Sequence, residues 1–284
     1  MAKPLLIVLS LGLLLLNFTN SDLNNTAYYT PPYNNMEKYD PAIGHINNLD
    51  KMEQYVDAVA QKQGIKVGSI DYVVEMEDAI EKRFYHGFSH LTTGENWIAA
   101  LSEKMFGYGL SCKVLPNDIM EHGNAACSQQ SMVMMELLKR KNLSYRKVGF
   151  PHHFALEVMI SGAWYYFDPN MEPIMTAEQR NQASWNHSAD NLKPYYDPQR
   201  FNDLDYKFGV NQMVTIGNVN EKQATNAKMF QSVTGVLSKI LWLAPLGFLA
   251  FGFRRKKIGA ARPDATSLLY YLQSYFRAFR LQKA

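Results

Sequence analysis

The sequence predicts an α+β fold in which N-terminal helices pack on an antiparallel β-sheet, with a transmembrane helix near the C-terminus. Three observations carry that prediction. Helix-forming segments occupy 49–63, 70–84, 94–105 and 125–140; three short runs rich in aromatic and branched residues follow at 144–150, 153–160 and 163–167; and nineteen residues from 235 to 253 carry a single charge, Lys239.

In chain order, residues 1–21 open with a lone Lys3, run through thirteen uncharged residues from Pro4 to Leu16, and reach Thr19-Asn20-Ser21. A membrane span needs about 20 apolar residues, so this segment reads as a secretory signal peptide or, with its imperfect cleavage site, an uncleaved anchor. Residues 22–48 are rich in Asn, Tyr and Pro without a period and read as a linker. The domain proper is expected over 49–230, and no internal repeat is present.

The fourth helical segment carries a cysteine at its start. Asn124 is a good N-cap, so Cys127 falls in the first turn, where unpaired backbone N–H groups and the positive end of the helix dipole favour a thiolate. A buried free cysteine on an apolar helix face is the bland alternative. The company downstream argues against it. Ser161-Gly162 reads as a two-residue hairpin turn, which sets 160 against 163 and 155 against 168. His153, Ala155, Glu157 and Asp168 then share one face, and His152 points to the other. His153 is the histidine that Asp168 can reach, and a turn longer by one residue reverses that assignment.

These residues carry a resemblance. G-x-x-x-C at a helix start, Arg146-x-Val148, His153-x-x-x-Glu157-Val158 and Trp164-x-x-x-Asp168-Pro169 together resemble the transglutaminase-like superfamily of cysteine enzymes over about fifty residues. The resemblance implies a papain-like core, with the cysteine at the foot of a helix packed on an antiparallel sheet. It also implies a catalytic triad of Cys127, His153 and Asp168, needing no cofactor or metal and acting on a peptide or protein amide. One departure stands out: members of the family often carry a bulky aromatic two positions after the histidine, where this chain has Ala155.

Beyond the hairpin, residues 172–208 are polar and read as loops bordering the cleft, and 209–232 lead to the apolar segment. The length of 235–253 fits a membrane helix, with Lys239 snorkelling near its beginning and Arg254-Arg255-Lys256-Lys257 as a cytoplasmic flank. A buried core helix is the alternative. This topology places the domain outside the cytoplasm, periplasmic or extracellular, and residues 254–284 inside.

The net charge of +3 is partly supplied by that basic cluster, so nothing points to nucleic acid. Cys112 and Cys127 are permitted a disulfide in an exported domain; the reading preferred is an unpaired, buried Cys112. Trp97 reads as a core tryptophan before an acyl-slot residue, and Gln129 and Gln130 as exposed helix glutamines before hydrogen-bond donors to the site. His122, His152, His153 and Glu157 make a weak metal set, since adjacent strand histidines face opposite ways; Glu157 reads better as the partner of a nearby cation. The function expected is a membrane-tethered cysteine hydrolase or acyltransferase, with a catalytically idle binding or assembly module as the alternative.

Overall fold

The structure, a computed structural model, describes residues 2–23 and 38–255, so that 24–37 of the expected linker and 256–284 of the expected cytoplasmic tail lie outside the described residues. The described chain divides into two compact units, 14–240 and the pair of segments 2–13 and 241–255. Helix α1 (Ala2–Leu16) begins in the second of these.

In the larger unit, α2 (Leu49–Gln63) and α3 (Ile70–Arg83) start where short polar side chains replace missing helical acceptors. Asn48 Oδ1 accepts the Lys51 N–H at 2.9 Å, and Ser69 Oγ accepts that of Tyr72 at 3.2 Å. Residues 38–48, read from sequence as the end of a linker, are packed against α3: Ile43 and Ile46 are buried, and Arg83 Nε donates to the Ile46 carbonyl. Strand β1 (Tyr85–His86) follows, then α4 (Thr93–Phe106), which opens on a capping box of Thr92 and Glu95, then α5 (Pro116–Met120). Strand β2 (Asn124–Ala125) pairs in parallel with β1, Tyr85 opposite Asn124 and His86 opposite Ala125.

Helix α6 spans Cys127–Arg140 and leads to β3 (Tyr145–Gly149), β4 (Phe154–Ile160) and β5 (Ala163–Phe167). The expected hairpin register holds: Ile160 pairs with Ala163 and Leu156 with Phe167. Ser161 (φ 50°) and Gly162 (φ 87°) both take the left-handed conformation that a two-residue turn matched to strand twist demands. A fourth strand, β6 (Thr215–Ile216), not expected from sequence, extends the antiparallel sheet to the order β5-β4-β3-β6.

Residues 172–208 are not plain loops. They form α7 (Ala177–Arg180), α8 (Gln182–Trp185), α9 (Ala189–Leu192) and α10 (Leu204–Phe208), and their Trp185, Leu192, Tyr196 and Phe208 close over Val148, Ala155 and Tyr166 of the sheet. The opposite face, through Leu156, Val158 and Phe167, joins the larger core of α2, α3 and α6. Packing on both faces explains why the strands alternate two kinds of apolar side chain instead of apolar with polar.

The apolar C-terminal stretch is not one helix over 235–253. It is divided between α11 (Thr225–Ile240) and α12 (Leu243–Arg255), with a break at 241–242. Pro245 gives the reason. It sits in the first turn of α12, where its missing N–H costs nothing, whereas a continuous helix would drive its ring into the carbonyl of Leu241. Among the described residues no single helix is long and apolar enough to cross a membrane; Thr225–Ile240 and Leu243–Phe251 meet the length and composition test together, as a broken pair. Within the smaller unit, Ser10 Oγ donates to the Trp242 carbonyl at 2.6 Å.

Candidate functional site

Cys127 is the first residue of α6, one position past the N-cap, which is Ala126 and not the expected Asn124. Asn124 is taken by β2, and its amide donates to the carbonyls of Gly87 and Phe88. Ala126 has no side chain to cap with, and Gln129 does the work from within the helix. Its Oε1 accepts the N–H groups of Ala126 (3.2 Å) and Ser89 (2.9 Å), and its Nε2 donates to the carbonyls of Ser89 (2.9 Å) and Lys113 (2.8 Å). Gln129 is therefore buried, not exposed as its sequence context suggested, and so is Gln130, whose Nε2 bonds the Ala125 carbonyl at 2.8 Å. Both glutamines fix the backbone that delivers the thiol.

His153 lies just ahead of β4. Ser131 Oγ, one turn into α6, donates to the Phe154 carbonyl at 3.2 Å and ties the start of that strand to the cysteine's helix. His153 Nε2 meets Asp168 Oδ2 at 2.6 Å, both side chains buried, as the hairpin register requires. That bond occupies Nε2 and leaves Nδ1 as the ring nitrogen available to the thiol. Burial works against charge on this ring, but the Asp168 carboxylate and hydrogen bonding to Cys127 outweigh it and raise the His153 pKa to about 10. His152 faces away and stacks on Tyr206, ring centroids 4.1 Å apart.

Asp168 has a complete set of donors. Oδ1 accepts the N–H groups of Asn170 (3.2 Å) and Met171 (3.1 Å); Oδ2 accepts from Tyr196 Oη at 2.9 Å as well as from His153. Tyr196 is in turn within 2.8 Å of the Tyr166 hydroxyl. The Asp168 backbone N–H donates to Glu77 Oε1 at 2.5 Å, and Glu77 is paired with Arg180, Oε2 to Nη2 at 2.8 Å, both buried. Burial pushes the Glu77 carboxyl up to about 8 against the pull of the Arg180 guanidinium. These contacts anchor the carboxylate from α3, from α7 and from the segment before α10.

The remaining motif residues form one cross-strand group. Arg146 stands opposite Glu157 in the ladder, and its Nε donates to Glu157 Oε2 at 2.6 Å, while its guanidinium lies over the Trp164 ring at 4.2 Å. His187 completes the group at 3.1 Å from Glu157 Oε1. Glu157 is thus the partner of a cation, as expected. Ala155 is buried against Val148, and the Phe208 ring centroid is 5.3 Å from that of His153.

The four residues weighed as a metal set have separate partners. His122 is nearest Glu95 at 3.8 Å, His152 has Tyr206, His153 has Asp168 and Glu157 has Arg146; no group of three His, Cys, Asp or Glu that could hold a metal is found among the described residues. Both cysteines are free. Cys112 is a different kind of thiol: burial, with Glu103 and Asp22 nearby, pushes its pKa up to about 12, and its Sγ lies 3.7 Å from His90 Nδ1. Trp97 donates its indole N–H to the Ser238 carbonyl of α11 at 2.9 Å.

Sequence reasoning missed three contributors. Tyr196 and Arg180 lie in the stretch read as loops. His86, on β1 opposite Ala125, is within electrostatic reach of His153 and hydrogen-bonds Asn170. Burial, with Lys207 and His153 adding to it, lowers the His86 pKa to about 4, so the site holds one charged and one neutral imidazole at pH 7. No family model, curated protein or solved structure matches the chain.

Proposed function

We propose that this chain is a transglutaminase-like cysteine enzyme with a papain-like core, exported and tethered to a membrane through its C-terminal apolar segments. Cys127 is the nucleophile, His153 the acid–base group and Asp168 the group that orients and stabilises the imidazolium. The observation that carries the reading is the buried 2.6 Å His153–Asp168 bond, with Cys127 among the groups that raise the His153 pKa.

In this mechanism the Cys127 sulfur, ion-paired with protonated His153, attacks an amide carbonyl. The Cys127 N–H and the positive end of the α6 dipole stabilise the oxyanion. Collapse breaks the C–N bond, His153 returns the proton to the departing amine, and a thioester remains on Cys127. Water or a second amine then attacks the thioester, giving up its proton to His153, and the carbonyl carbon leaves sulfur as the acid or a new amide.

Reconstituted full-length protein incubated with blocked glutamine-containing and amide-bond peptides, with and without a fluorescent primary amine, tests the proposal. Time-dependent release of ammonia or amine, or incorporation of the fluorophore, is expected, and Cys127→Ala removes it. Absence of both products across the panel leaves the idle binding module in place of the enzyme.

A further inference from the structure

Helix α11 has its polarity reversed. Gln231, Thr234 and Ser238, one stripe at helical spacing, are buried against α4 and the loop after it. Gln231 Nε2 donates to the carbonyls of Leu110 (3.1 Å) and Cys112 (2.7 Å), and Asn96 Nδ2 donates to Thr234 Oγ1 (2.8 Å) and the Gln231 carbonyl (3.2 Å). Trp97 bonds the Ser238 carbonyl, and Lys239 Nζ donates to the Gly94 carbonyl. The outward side is mostly apolar: Met229, Val233, Val236, Leu237 and Ile240 are exposed, Val236 at 63%, with Ser232 and Lys239 beside them. Helix α4 extends the same character through Leu101, Met105 (71% exposed) and Phe106.

A surface helix in water turns its apolar stripe inward and its polar stripe out, because exposed apolar area costs about 25 cal/mol per Å². Reversal is favourable where the outer medium is hydrocarbon, which welcomes the apolar stripe and makes internal pairing of the polar one mandatory. The asparagine that makes two of these bonds also departs from helical geometry (φ −158°, ψ 82°) inside α4. The chain continues from α11 into apolar Leu243–Phe251, the part of the sequence most compatible with lipid. Lys104 and Lys228 belong to the same two helices, and lysine stems lying on an apolar face bring their ammonium groups to anionic headgroups.

We infer that α4 and α11 together form a lipid-contacting face, with Leu101, Met105, Phe106, Val233, Val236 and Ile240 in the outer acyl layer of a bilayer bearing anionic headgroups. The inference rests on the membrane tether proposed above and goes beyond it. The domain is not hung from a free stalk but bolted to the surface through its own fourth helix. Gln129, which bonds both Ser89 ahead of α4 and Lys113 after it, makes the start of α6 part of the same rigid block. The site then works at fixed height above the membrane, and its amide substrates are segments of membrane-bound or membrane-proximal chains.

Spin-label depth measurements test this on the full-length chain carrying Cys112→Ser and Cys127→Ser, in vesicles of about three parts phosphatidylcholine to one of phosphatidylglycerol. Single labels are introduced through Met105→Cys, Val236→Cys or, as an aqueous reference, Tyr206→Cys. Labels at 105 and 236 are expected to collide several-fold more with oxygen than with a nickel chelate, and the label at 206 to show the opposite order. Lipid-like behaviour at 236 with free nickel access at 105 overturns the α4 inference and leaves the tether standing. Free nickel access at both overturns the tether as well. Spin–spin broadening at 105 that persists without vesicles assigns the face to a second copy of the chain and likewise overturns the inference.

Discussion

Cys127→Ala is expected to abolish labelling by a thiol-directed acyl probe near neutral pH and to lower turnover by roughly three or more orders of magnitude, while Cys112→Ser leaves both close to the parent. The two thiols differ in surroundings. Cys127 opens a fourteen-residue helix, and the histidine assigned to it is itself held by a carboxylate. Cys112 is buried beside acidic groups with a pKa near 12, and its neighbour His90 has its pKa lowered by burial, so the second cysteine–histidine contact in the molecule does not produce a thiolate at pH 7. Rate of alkylation resolved by peptide mapping reads the difference. Equal, slow modification of the two cysteines would sink the assignment.

The adjacent histidines supply the second large contrast. His153→Ala removes the only imidazole bonded to Asp168, and turnover is expected to fall by orders of magnitude; His152→Ala loses a ring stacked on Tyr206 and changes turnover little. Stability against pH separates them too. The folded pKa of His153 is raised above the ordinary 6.5, so the native state binds the extra proton. Its stabilisation is complete below about pH 6.5 and is lost as pH rises toward about 10. Unfolding midpoints measured from pH 6 to 10 should fall for the parent through this group and fall less for His153→Ala. A His152→Ala variant that loses turnover while His153→Ala keeps it would contradict the hairpin register.

Much of the site was legible because it is local in sequence. A two-residue Ser161-Gly162 turn fixes which residues of β4 and β5 share a face, and that brings His153 to Asp168; Arg146 meets Glu157 through the separate β3–β4 register, where the sequence indicated only a nearby cation. Helical periodicity likewise gave α2, α3 and α4 within a residue or two of their ends. What stayed hidden depends on contacts distant in sequence. Nothing in the polar stretch 172–208 announces that Tyr196 bonds Asp168 or that Arg180 crosses to Glu77, because a buried polar residue looks exposed until its partner is known. Gln129 was misjudged for the same reason. The apolar window 235–253 concealed a break whose cause, Pro245, is visible in sequence, and a buried polar stripe whose partners lie on α4, more than a hundred residues earlier.

The central claim is that Cys127 forms a covalent acyl-enzyme with help from His153. Acid-quenched incubation with p-nitrophenyl acetate, followed by mass spectrometry of the peptide containing Cys127, measures it without knowledge of the natural substrate. The account predicts a hydroxylamine-labile acetyl group on Cys127 in the parent, none on Cys112, and none on Cys127 after His153→Ala. Acetylation of both cysteines to the same extent, or of Cys127 undiminished by His153→Ala, contradicts it.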